Sequence, residues 1–199
     1  MTTRSLRQHE IFFGIETETE ILCTENHKAD LSTARPAVYV GTWRKYNAGD
    51  LSGEWIDPTT FYDYREFMEF CRELHSDERA PEIMIQDWQH LGRDLHGDMM
   101  SEKDFNFIQK YAELLEQYGI DALEDFLEYF DDDDIESFEE RYAGKHENDA
   151  SFAISIFEER GEADKLEGIC PWIDWNGIAG NMLAHDFCRG INGHYFYRD

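Results

Sequence analysis

Between Lys110 and Arg141 the chain has thirteen acidic residues and no basic one. They are Glu113, Glu116, Asp121, Glu124, Asp125, Glu128, Asp131, Asp132, Asp133, Asp134, Glu136, Glu139 and Glu140. Within the same stretch Leu123, Phe126, Leu127 and Phe130 recur at the spacing of one helix face, so the segment must fold with an apolar stripe inward and its carboxylates outward. Solvated helix faces usually interleave both signs, because oppositely charged i,i+4 pairs stabilise by ~0.2–0.5 kcal/mol and like pairs cost about as much. Here the repulsive choice is repeated. Glu128 and Asp131–Asp134 are expected near a helix C-terminus, where the helix dipole also opposes them. An unfavourable pattern sustained over this length implies that the charge itself is used.

The whole chain follows the same sign, with 44 acids against 18 bases and a net charge of −26. Such imbalance can mean disorder, but 41% of residues are hydrophobic and 15% aromatic. Each buried aromatic removes roughly 150–250 Å² from water, enough to hold a folded core against self-repulsion. The sign speaks against nucleic acid and anionic lipid as partners, since both are bound through Lys and Arg, and it favours a basic surface. If helical, the 28 residues from Glu113 to Glu140 would cover about 42 Å, or one charge per ~3.2 Å, against ~3.4 Å per phosphate on one strand of B-DNA.

Other chemistries have little support. A calcium loop begun at Asp131 has Ile135 at its third ligand position and lacks the sixth-place glycine. Cys23, Cys71, Cys170 and Cys188 form no CxxC pair, so neither a zinc site nor a disulfide framework is indicated. There is no HExxH, GxGxxG or P-loop motif. His90, His96 and Asp98 share a segment that reads as a surface loop, and His185 reads as a surface residue. No catalytic residue, metal or cofactor is expected. No apolar run approaches the ~18 residues of a membrane span, and the expected compartment is the cytoplasm.

Along the chain the class is α+β. Residues 10–22 alternate as one or two strands, followed by a linker to residue 35. Residues 36–57 read as two β runs around the turn "NAGD". Asp63 with Glu66 forms a capping-box pattern for a helix burying Phe67, Phe70, Cys71 and Leu74. Residues 82–91 read as a strand. Ser101 caps a helix that Gly119 ends. Asp121 with Glu124, and Asp133 with Glu136, repeat the capping pattern for helices over 122–130 and up to Gly144. A fourth helix ends at Gly161, a fifth covers residues 174–190, and a last strand follows the Asn192-Gly193 turn.

Several ordered motifs add a more specific signal. Pro36–Val40 reads "PAVYV", Tyr46–Gly49 reads "YNAG", Gly53–Asp57 reads "GEWID" and Glu82–Trp88 reads "EIMIQDW". With the ending "GHYFYR", these resemble the ArdA family of antirestriction proteins over roughly residues 36–198. The resemblance implies an elongated protein of three small domains: a sheet-rich domain over 36–98, an acidic helical domain over 99–146 and a mixed α/β domain over 147–199, with residues 1–35 an extension. It implies a homodimer that imitates bent B-form DNA and occupies the DNA groove of type I restriction–modification enzymes, on their specificity and methylation subunits. It implies that no reaction is catalysed. The thirteen carboxylates would stand in for phosphates, and Phe138, Tyr142, Phe152 and Phe157 would be core or dimer contact. A dimer would carry −52, twice the −26 of one chain, the phosphate count of about 26 base pairs. The alternative is an acidic protein that sequesters another basic DNA-binding protein. Tyr39, Trp43, Trp55 and Trp88 are expected to pack the first sheet, and Gly41, Gly49 and Gly53 to serve turns or close backbone approach.

Overall fold

A computed structural model describes residues 26–92, 99–166 and 168–199. The strands expected over 10–22 and most of the loop carrying His96 and Asp98 lie outside the described residues. The chain is a mixed helix–sheet protein with small antiparallel sheets. It forms two compact units, the first ending at Ala112 and the second covering Glu113–Asp199.

In the first unit, strands β1 (Ala37–Thr42), β2 (Glu54–Ile56) and β3 (Ile83–Gln89) make an antiparallel sheet in the order β2-β1-β3. Central β1 is buried along nearly its whole length, as "AVYVGT" allows. Tyr39 lies opposite Trp55, with ring centroids 5.4 Å apart. The expected "NAGD" turn is only part of the β1–β2 connection. The Thr42 hydroxyl accepts the Lys45 N–H and opens a short helix α1 (Trp43–Asn47), which Gly49 leaves in a left-handed conformation, φ 76°. At Gly53 a Cβ would come 2.4 Å from the Val40 carbonyl oxygen, so the chain there requires glycine. Residues of the expected linker add to the sheet edge instead. The Ala29 N–H donates to the Trp55 carbonyl and the Asp57 N–H to that of His27.

Helix α2 (Tyr64–Leu74) starts as expected, with the Asp63 carboxylate accepting the Glu66 N–H at 2.8 Å. Phe67 and Cys71 are buried, while Phe70 and Leu74 are half-buried. Phe67 meets Phe61 and Phe105 edge-on or tilted at 5.4 and 5.8 Å. Phe105 belongs to α3 (Glu102–Tyr118), which the Ser101 hydroxyl caps through the Asp104 N–H.

In the second unit, β4 (Tyr142–Lys145), β5 (Phe187–Arg189) and β6 (His194–Tyr197) pair antiparallel in the order β4-β6-β5. Alternation along β6 sends successive side chains to opposite faces. Tyr195 stacks on Phe152 at 4.1 Å, in a core with Ala153, Ile156, Ala179, Met182 and Phe187 from α6 (Asp149–Glu159), α7 (Trp175–His185) and β5. Phe196 meets Phe126, Phe138 and Tyr142 at 5.5–5.7 Å. Asn148 caps α6, which gives way to the left-handed Gly161, as expected. Phe187–Arg189 had read as the end of the fifth helix. Instead α7 ends at His185, and these residues form a hairpin with β6 across Gly190–Gly193.

Candidate functional site

The acidic segment is divided into short elements. Gly119, at φ 81°, ends α3 and precedes α4 (Ile120–Leu127), which has no side-chain cap. Asp121 therefore lies in the first turn and does not cap the helix. A 3-10 helix follows over Asp132–Ser137, then α5 (Phe138–Arg141). Neither the Asp133–Glu136 cap nor the Gly144 stop occurs. Asp131 heads the 3-10 helix, its N–H donating to the Asp134 carboxylate at 3.2 Å, and Gly144 sits within β4. Asp131–Asp134 thus occupy a helical N-terminus, where the dipole favours them, and not the expected C-terminus. Glu128 remains at the C-terminal end of α4.

The inward stripe supports this chain of elements. Leu123, Phe126, Ile135 and Phe138 are buried, and Leu127 and Phe130 half-buried. Phe126 stacks on Phe130 at 4.7 Å and packs on Phe138 at 5.0 Å. Of the thirteen carboxylate residues ten are exposed: Glu113, Glu116, Asp121, Glu124, Glu128, Asp131, Asp133, Glu136, Glu139 and Glu140. Asp132 and Asp134 are half-buried. On α4, Asp121, Glu124 and Glu128 share the outer face, three and four residues apart.

Asp125 departs from the expected set. It is 1% exposed. Its carboxylate accepts the Asn192 N–H at 3.0 Å, the Asn192 side-chain amide at 3.0 Å and the His194 N–H at 3.1 Å. It fastens the β5–β6 turn to α4 and presents nothing to a partner. Nothing in the sequence distinguishes it from its acidic neighbours except its place one residue from Phe126 in the apolar register.

Of the two basic residues just beyond the segment, Arg141 is committed to the fold and Lys145 pairs with an acid of the segment. The Arg141 guanidinium donates to the Ser137 hydroxyl at 2.9 Å and to the Arg198 carbonyl, and lies 4.8 Å above the Phe130 ring. Lys145 pairs with Asp121 at 3.6 Å across an exposed surface, a contact worth ~0–1 kcal/mol. Residues 113–199 hold 23 acids against 6 bases, −17 of the chain's −26.

The four proposed contact aromatics separate by burial. Phe138 and Phe152 are fully buried inside the second unit and belong to its core. Tyr142 is half-buried, stacked on Phe138 at 5.4 Å, and its hydroxyl is bonded to His194 Nδ1 at 3.0 Å. Phe157 is half-buried against Trp175 at 5.3 Å. In the first unit a polar cleft of about 250 Å³ is lined by Arg44, Lys45, Asp50, Asp77 and Glu78. It is neutralised from within: Lys45 Nζ lies 2.9 Å from Asp77 and 3.1 Å from His75 Nδ1, and the Thr42 hydroxyl donates to Glu78 at 2.6 Å. Among the described residues no three His, Cys, Asp or Glu side chains are grouped to hold a metal ion, and no helix is long and apolar enough to cross a membrane.

Fold and surface together define a small α+β protein whose second unit wraps an aromatic core in carboxylates. A family model for the antirestriction protein ArdA matches residues 38–197, and the chain belongs to that family. No individual curated protein matches it.

Proposed function

We propose that the chain is a cytoplasmic inhibitor of type I restriction–modification enzymes that imitates B-form DNA. It acts as a homodimer of elongated subunits, by occupancy and not by chemistry. The observation that carries this reading is the set of ten exposed carboxylates between Glu113 and Glu140, in a stretch where no Lys or Arg interrupts them. A basic groove on the specificity and methylation subunits would meet these groups where it normally meets phosphates. Because exposed charges are individually weak, recognition rests on many modest contacts and on complementary shape.

The test is a titration of a type I methyltransferase core carrying labelled DNA. Release of DNA at stoichiometric protein is expected, and the protein's own affinity for the DNA-free enzyme should weaken as salt rises. DNA that stays bound at protein excess sinks the proposal. Recovery of a different basic DNA-binding protein in stoichiometric complex, with no effect on the methyltransferase, selects the sequestration alternative.

A further inference from the structure

We propose that Ile191 is an apolar anchor with which the acidic segment docks into a DNA-binding groove. The inference rests on the reading of the chain as a DNA mimic and adds to it the one kind of contact that carboxylates cannot supply. Ile191 is 88% exposed at the apex of the β5–β6 turn. The other three residues of that turn are explained by the fold. Gly190 leaves room for the Asp125 carboxylate, Gly193 takes a left-handed conformation at φ 87°, and Asn192 donates its N–H and its side-chain amide to Asp125. Turn positions ordinarily carry glycine or small polar residues. With its side chain in water, an isoleucine at this place gains nothing from the fold.

The turn is tied down on every side. The Gly190 N–H donates to the His194 carbonyl at 2.9 Å, the Gly193 N–H to the Gly190 carbonyl at 3.2 Å, and the His146 N–H to the Gly193 carbonyl at 3.1 Å. The Asn192 side-chain amide also reaches the Asp121 carbonyl at 3.4 Å, and the Tyr129 hydroxyl donates to the Arg189 carbonyl at 2.9 Å. An apolar side chain on so tethered a backbone loses little conformational freedom when a partner covers it.

Position and charge identify the occupant. Asp121, Asp125 and Tyr129 are four residues apart, so the turn lies along one row of α4 and its C-terminal end. The exposed Glu124 and Glu128 form the adjoining row. Ile191 therefore stands beside carboxylates that the functional reading assigns to phosphates. Those carboxylates repel an acidic surface and pair with a basic one. A groove built for DNA also has apolar surface at base level, because the thymine methyl is read by apolar contact in the major groove. Phosphate contacts position a duplex and base contacts discriminate. The carboxylates reproduce the first kind, and Ile191 the second.

The experiment measures binding of the full chain to a DNA-free type I methyltransferase core across a salt series, for the wild type, Ile191→Ala and Ile191→Asp. Urea midpoints of both variants should match the wild type, because the replaced side chain is exposed. Ile191→Ala should weaken binding about tenfold. It should do so equally at every salt concentration, since salt screens charges and not apolar burial. Ile191→Asp should weaken binding at least as much, although it adds a negative charge. Where charge alone is recognised, Ile191→Ala changes nothing and Ile191→Asp binds as tightly as the wild type or more tightly. That result overturns the anchor and leaves the DNA mimic standing. A urea midpoint that falls together with the affinity assigns Ile191 to the fold and overturns the anchor as well. A wild type that does not bind the methyltransferase overturns the anchor and the functional reading together.

Discussion

Asp125 lies so close to Gly190 that a Cβ on the glycine would come within 2.0 Å of the Asp125 Cγ. The two residues lock the β5–β6 turn onto α4. One supplies acceptors for the turn's N–H groups, and the other supplies the space the acceptors occupy. Gly190→Ala must push a buried carboxylate off its three donors, and Asp125→Ala leaves the Asn192 and His194 N–H groups without an acceptor. Each should destabilise the fold by roughly 2–4 kcal/mol, read as a lower urea midpoint. Asp133→Ala, at an exposed position, should change it by less than about 0.5 kcal/mol.

That pair also marks where sequence reading stops. Helices α2 and α6 and strand β6 were legible, because Asp63, Gly161 and the Asn192-Gly193 turn announce their boundaries locally. The Asp125 contacts span 67–69 residues, and no local pattern encodes them. The same holds for β5. "DFCRG" carries no strand signature of its own and becomes a strand because β6 lies beside it. In the run Asp131–Asp134 the local pattern picks Asp133 with Glu136 as the cap. The chain begins its 3-10 helix directly after Asp131 instead, with Ile135 and Phe138 both buried. The acidic exterior was legible as a whole, whereas the single buried acid within it was not.

Acid should unfold the protein in a characteristic window. Burial, then the neighbouring Lys45, holds the His75 imidazole below its ordinary value; Asp77, Glu78 and a bond to the Val40 carbonyl oppose the shift in part. Burial and Lys145 do the same for His194 against Asp125 and Asp121. Both pKa values are depressed, so on descending through about pH 6.5 the unfolded chain takes up protons that the folded chain refuses, and stability falls. Carboxylate protonation, which relieves repulsion, begins only near pH ~4. Urea midpoints should drop between pH 7.5 and 5.5, and His75→Gln should flatten the slope.

Thiol reactivity should divide the described cysteines. Burial pushes the Cys71 thiol up to about 12 and raises that of Cys188 in spite of Arg198 and Arg141 nearby. Cys170 is exposed. Since the thiolate is the reactive form, iodoacetamide at pH 8 should label Cys170 in the native protein. Cys71 and Cys188 should react only in urea, as peptide mass spectrometry would show.

The carboxylates should act collectively and at a cost to stability. Asp133→Asn alone is expected to alter displacement of DNA from a methyltransferase core by no more than about fivefold, because one exposed charge is worth ~0–1 kcal/mol. Changing Glu124, Glu128, Asp131, Asp133, Glu136, Glu139 and Glu140 together to their amides lowers the net charge from −26 to −19. Displacement should then fall by orders of magnitude, and its salt dependence should flatten. The same variant relieves like-charge repulsion, so at low salt it should unfold at the same or a higher temperature than the wild type. Binding lost while stability is kept or gained is what charge retained for a partner requires. A sevenfold variant that unfolds early while still displacing DNA would instead assign these carboxylates to the fold.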